Sequence, residues 1–144
     1  CACGQGHLAD RLKHFGYEVH SSDLINRGYG EVTDFLKTKK MPEGCACILT
    51  NPPYKYALES VLHSLEILPD DGLCIMFLKT TFLEGQRRYE ELFSKHPPMV
   101  VLQFSKRVIC AKNGNFKQTT GSAVSYAWFV WRKGWKGDTV IRWI

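Results

Sequence analysis

The sequence predicts an α/β protein, an open and largely parallel sheet with helices on both faces. Three observations lead there. Strand-like and helix-like segments alternate through the first hundred residues. Two continuous apolar runs, CACILT at 45–50 and LCIMFLK at 73–79, have the composition of strands buried on both faces. A glycine turn at 4–6 opens a helical stretch, as turns do where such sheets hold ligands.

The elements follow in order. Residues 7–15 place Leu8, Leu12 and Phe15 at helical spacing, and Gly16 is a natural stop. Residues 17–22 read as a short strand ending at Asp23. Residues 31–38, with Val32, Phe35 and Leu36, read as a short helix. Residues 45–50 are a strand. Residues 54–68 form an amphipathic helix with Leu58, Val61, Leu62, Leu65 and Leu68 on one face. The turn Pro69-Asp70-Asp71-Gly72 leads into the strand at 73–79. Residues 84–95 read as a helix, which Pro97-Pro98 stops. Strands follow at 99–104, 123–132 and 139–143. The final strands lack an intervening helix, so they are expected to pair antiparallel at one edge. The basic, polar stretch at 105–122 is the kind of long connection that is functional or disordered.

At 144 residues, 44% hydrophobic and 23% charged, the chain reads as one ordinary globular domain spanning 1–144. No stretch of about 18 apolar residues offers a membrane span, and no secretory signal is visible. The glycine turn is expected to follow a strand, and the sequence opens at Cys1. The reading therefore expects a first strand upstream of residue 1. Two Cys-x-Cys pairs are too closely spaced for structural zinc, so no metal is expected. Reduced thiols and an intracellular home are the default.

Charge is uneven. Residues 1–94 hold 10 Lys/Arg against 13 Asp/Glu, whereas residues 95–144 hold 9 against one acid, Asp138. A basic C-terminal part suits a polyanionic partner; a solvated surface accounts for it equally well.

Two motifs carry chemistry. Gly4-Gln5-Gly6-His7-Leu8-Ala9 matches G-x-G-x-x-A at a turn opening a helix. Glycine permits the tight turn and close backbone approach, and the helix start offers free N–H groups. Asp23 follows Gly4 by 19 residues at the end of the next strand. There it can accept hydrogen bonds from both hydroxyls of a ribose, or cap the next segment. This pair alone does not separate a nicotinamide dinucleotide from S-adenosylmethionine. Asn51-Pro52-Pro53-Tyr54 does. It sits at the C-terminal end of a predicted buried strand, where open sheets bind ligands. The prolines stiffen the loop. The Asn51 side-chain oxygen and the Pro52 carbonyl can accept both protons of one planar amine. That favours a pyramidal nitrogen and aims its lone pair at an electrophile. Tyr54 can stack on the ring that bears the amine. The plainer reading is a proline-rich turn with Asn51 as a helix cap.

The order of these motifs, with Asp34-Phe35 between them, resembles the Rossmann-like S-adenosylmethionine-dependent methyltransferases of the amino group type. It is most similar to the adenine-specific DNA methyltransferases of bacteria and their phages. The resemblance implies a three-layer sandwich, mostly parallel with an antiparallel edge strand, and S-adenosylmethionine as cofactor. It implies cofactor contacts at Cys3, Gly4, Gly6, Asp23, Leu24, Asp34, Phe35 and Asn51. Catalysis falls to Asn51, Pro52, Pro53 and Tyr54. The implied partner is DNA, with RNA possible, in the cytoplasm of a bacterial or phage-infected cell.

Other signals are weaker. Lys79 ends a predicted strand on the same sheet edge and is either a substrate contact or an ordinary strand end. Lys106, Arg107, Lys112 and Lys117 suit backbone phosphates. Arg87 and Arg88 read as surface, the four tryptophans as packing, and His7 as a helix-start residue. The same chemistry also suits an RNA base amine or a protein glutamine amide. A nucleotide-binding domain without catalysis is the reading from another class.

Overall fold

The computed structural model describes residues 1–108 and 124–144. Seven strands are present among them: β1 (Ser22–Asp23), β2 (Glu31–Val32), β3 (Cys47–Thr50), β4 (Leu73–Lys79), β5 (Val100–Gln103), β6 (Tyr126–Arg132) and β7 (Val140–Trp143). The helices are α1 (His7–His14), α2 (Ala57–Ile67) and α3 (Gln86–Arg88), which runs on into a π turn at Tyr89–Phe93. Single 3₁₀ turns lie at Phe35–Lys37, Tyr54–Tyr56 and Thr80–Leu83.

This architecture corrects the expected Rossmann-like three-layer sandwich. The main sheet has five strands in the order β3-β4-β6-β5-β7. β3 and β4 are parallel, as are β5 and β7, but β6 is antiparallel to both its neighbours. The sheet is mixed, and its antiparallel strand lies inside it rather than at an edge. The reason is pairing strength that alternation of elements does not encode. β6 reads YAWFVWR and matches β4 over seven residues, from Leu73 opposite Arg132 to Lys79 opposite Tyr126. A strand apolar on both faces gains most between two partners.

Local departures have local causes. In the expected strand at 17–22 only Val19 is aliphatic, and pairing shrinks to Ser22–Asp23, parallel to Glu31–Val32 in a separate two-stranded sheet. The expected helix at 31–38 fails because Asp34 is extended and caps only the 3₁₀ turn, accepting from the Leu36 N–H at 3.2 Å. The expected helix at 84–95 is interrupted, with Gly85 at φ 111° ahead of α3 and the π turn after it.

The core lies on one face of the sheet. Cys74, Met76 and Leu78 of β4 and Ala127, Phe129 and Trp131 of β6 are fully or almost fully buried there. α2 covers them with Leu58, Val61 and Leu65, and Phe82 and Leu92 complete the cover. Phe129 stacks on Trp131 with centroids 5.8 Å apart and meets Phe82 edge-on. The Trp131 indole donates to the His96 carbonyl at 3.1 Å. Lys133 closes the end of α2 by donating to the Glu66 and Leu68 carbonyls, at 2.9 and 2.6 Å.

Burial pushes the Cys74 thiol up to about 12, against a hydrogen bond from Ser64 that lowers it. The thiol therefore stays protonated in the fold at neutral pH, and the thiolate is the reactive form. Mass spectrometry after iodoacetamide treatment at pH 8 should find exposed Cys47 modified and Cys74 untouched until urea unfolds the chain. Above the ordinary thiol range the unfolded chain ionises Cys74 more readily, so the fold loses stability as pH rises further.

Candidate active site

Three tethers place the glycine turn. The Gly6 N–H closes a tight turn onto the Cys3 carbonyl at 2.9 Å. The Cys3 N–H donates to the Ser22 carbonyl at 3.0 Å, which ties the turn to β1. On the other side the Thr50 hydroxyl donates to the Cys1 carbonyl, which ties it to the end of β3. Thr50 is buried, so this anchor is fixed in the sheet.

Asp23 bridges turn and strand. One carboxylate oxygen accepts from the Gly4 N–H at 2.8 Å and the other from the Ile25 N–H at 3.0 Å. Each oxygen keeps a further lone-pair direction. The capping reading and the ligand reading of Asp23 are thus compatible in one residue.

Asn51, Pro52, Pro53 and Tyr54 leave the end of β3. Pro52 is buried, while Asn51, Pro53 and Tyr54 are exposed. Pro53 begins the 3₁₀ turn, accepting from the Tyr56 N–H at 2.9 Å. Asn51 does not cap α2: Tyr56 holds that position, with no side-chain cap. The plainer reading of Asn51 therefore loses its function.

These segments line one cleft of about 830 Å³. Its walls include Cys3, Gly4, His7, Asp23 and Leu24 on one side and Asn51, Pro52, Pro53 and Tyr54 on the other. The volume falls within the range of small-molecule sites, roughly 300–1,000 Å³. Gly6 is buried beneath the turn. Lys79 stands beside the cleft, its ammonium 5.0 Å from the centre of the Tyr54 ring.

Other expected site residues lie elsewhere. The Asp34 carboxylate serves its own turn and pairs with Lys37 at 3.3 Å, away from the cleft lining. Phe35 lines a second cavity of about 690 Å³ with Thr33, Met41 and Cys47, and it meets His63 edge-on at 5.2 Å. Lys106 and Arg107 are exposed after β5. Lys112 and Lys117 lie outside the described residues.

Sequence reasoning missed three contributors. Thr50 supplies the anchor just described. Tyr126 lies opposite Lys79 across the sheet, 6.2 Å from the Tyr54 ring, and stacks on Phe77 at 5.2 Å. Tyr29 packs its ring on Gly6. Only Tyr29 left a local trace, its place between Gly28 and Gly30.

The two glycines of the turn differ in why they must be glycine. Both have positive φ, 58° at Gly4 and 86° at Gly6. A Cβ on Gly4 would meet open space, whereas one on Gly6 would enter the Tyr29 ring. Gly4→Ala should therefore cost the backbone penalty alone, roughly 1–2 kcal/mol, and Gly6→Ala clearly more. Urea unfolding of both variants checks this; equal losses would contradict the packing.

Among the described residues, no group of three or more His, Cys, Asp or Glu is arranged to hold a metal, and no helix is long and apolar enough to cross a membrane. Compared with known proteins, the chain matches no family model and no curated sequence.

Proposed function

We propose that this chain transfers a methyl group from S-adenosylmethionine to the exocyclic amine of adenine in DNA. One observation carries the reading. The glycine turn, Asp23 and the Asn-Pro-Pro-Tyr segment, far apart in sequence, line a single cleft at the end of β3. The donor set suits this cofactor. Asp23 offers carboxylate lone pairs for ribose hydroxyls. The turn at Gly4 brings backbone to the cleft without a side chain in the way. The first turn of α1 has no side-chain cap competing for its N–H groups.

When bound, the cofactor supplies an activated methyl group on a sulfonium. The protein's task is positioning and charge stabilisation. Asn51 Oδ1 and the Pro52 carbonyl accept the two amine protons of the target. Holding both N–H bonds turns the nitrogen lone pair out of the ring plane, and positive charge developing on nitrogen is stabilised. Pro52, buried, and Pro53, at the start of the 3₁₀ turn, keep these acceptors from swinging. Tyr54 gives the ring a face to stack on, and Lys79 beside it adds positive charge near the substrate's phosphates. An adenine inside a duplex has to be rotated out to reach this cleft. The work belongs in the cytoplasm of a bacterial or phage-infected cell, where such DNA is found.

The test offers radiolabelled S-adenosylmethionine with duplex DNA, structured RNA and a protein extract in parallel. Labelled methyladenine in digested DNA is the expected product. Label in RNA or in protein glutamine alone would replace the substrate; no label with any of them would overturn the reading.

A further inference from the structure

We infer that Tyr29 is a positioning residue that holds the glycine turn in its ligand-binding shape, a role resting on the cofactor reading of the cleft above. Contacts from four residues converge on it. Its ring occupies the space a Gly6 side chain would need. Its hydroxyl donates to Asp10 Oδ1 at 2.6 Å and accepts from the Lys13 ammonium at 3.2 Å, both on α1. The same ammonium lies 5.3 Å from the ring centre. Its carbonyl accepts from the Cys3 thiol at 3.6 Å, at the other end of the turn. Tyr29 thus grips the residue before the turn, the turn itself and the helix after it, from a loop that follows Asp23.

The arrangement matters because Gly4 and Gly6 have little stiffness of their own. Glycine visits many backbone conformations, so a two-glycine turn loses entropy when a ligand orders it. A side chain that orders the turn beforehand removes that loss, and ligand affinity rises without any direct contact. Tyr29 is not among the residues lining the cleft, so its effect passes through the turn. Asp23 and Tyr29 then divide the work: the carboxylate fixes the Gly4 N–H and the ring fixes Gly6.

The test compares full-length wild type, Tyr29→Ala and Tyr29→Phe by calorimetric titration with S-adenosylhomocysteine. Amide hydrogen exchange at residues 4–8 is followed in parallel. Tyr29→Ala should weaken binding roughly ten- to a hundredfold and speed exchange in the turn. In turnover the cofactor KM should rise by more than kcat falls. Tyr29→Phe keeps the ring on Gly6 and loses only the hydroxyl bonds, so it should recover most of the affinity. Wild-type affinity and unchanged exchange in Tyr29→Ala would overturn the assignment. If Tyr29→Ala does not fold, Tyr29→Leu, which keeps an apolar side chain but removes the ring from Gly6, decides: weaker binding with faster exchange sustains the role, and no change in either overturns it. If wild type itself does not bind the homocysteine product, the cofactor reading falls, and exchange alone then decides whether Tyr29 orders the turn.

Discussion

Asn51→Ala should lower methyl transfer by roughly 10²–10³-fold, the usual loss when one preorganised group facing developing charge is removed. The side chain is exposed at the end of β3 and does not cap α2, so the fold does not depend on it. The thermal midpoint should hardly move, and cofactor affinity should fall far less than the rate. Single-turnover measurements separate these quantities. Tyr54→Ala should behave differently. Removing the ring takes away stacking on the substrate and the Lys79 contact at 5.0 Å, so the DNA KM should rise more steeply than kcat falls. Full activity in Asn51→Ala would remove the chemical basis of the proposal.

Phe129→Ala should destabilise the protein by about 3–5 kcal/mol. Phe129 is fully buried at the centre of the sheet. It stacks on Trp131 and takes an edge contact from Phe82, with centroids 5.8 Å away in both cases. A cavity there has neighbours on β4, β5 and β6, whose pairing limits collapse. Urea unfolding followed by tryptophan fluorescence measures the change. A loss below about 0.5 kcal/mol, the size expected of an unremarkable surface substitution, would mean that β6 does not occupy the interior of the sheet.

The position of β6 also marks where sequence reasoning ended. The apolar run at 73–79 became β4 residue for residue, because seven apolar-rich residues after a Pro-Asp-Asp-Gly turn are too short for a typical helix and suit a buried strand. Of the run at 45–50 only Cys47–Thr50 became β3, parallel to β4 at the edge of the sheet, with Cys47 exposed where a strand buried on both faces was expected. Strand order is different in kind. It is set by pairings between residues distant in sequence, such as Phe77 with Trp128, and no local pattern records them. Trp131 was legible as a packing residue, Trp143 proved largely exposed, and none of the tryptophans signalled that an antiparallel strand lies between β4 and β5.

The site divides in the same way. Gly4, Gly6, Asp23 and Asn51 through Tyr54 were legible because each carries a local requirement: a positive φ, a carboxylate after a strand, a rigid acceptor loop. Asp34 has the right residue type, yet its carboxylate is engaged by Leu36 and Lys37. The competition between a local cap and a distant ligand is decided by backbone geometry, which residue type does not reveal. Thr50 and Tyr29 were invisible for the opposite reason. Their contributions are contacts to Cys1 and Gly6 that only the folded chain brings together.

The measurement that bears most directly on the central claim is an amide NMR titration of the chain with S-adenosylhomocysteine. One cleft should respond, with amide resonances of residues 3–9 and 23–25 and of Thr50, Asn51 and Tyr54 shifting together on a single binding curve. Shifts confined to the second cavity, around Thr33, Phe35, Met41 and Cys47, or none at saturating concentrations, would contradict it.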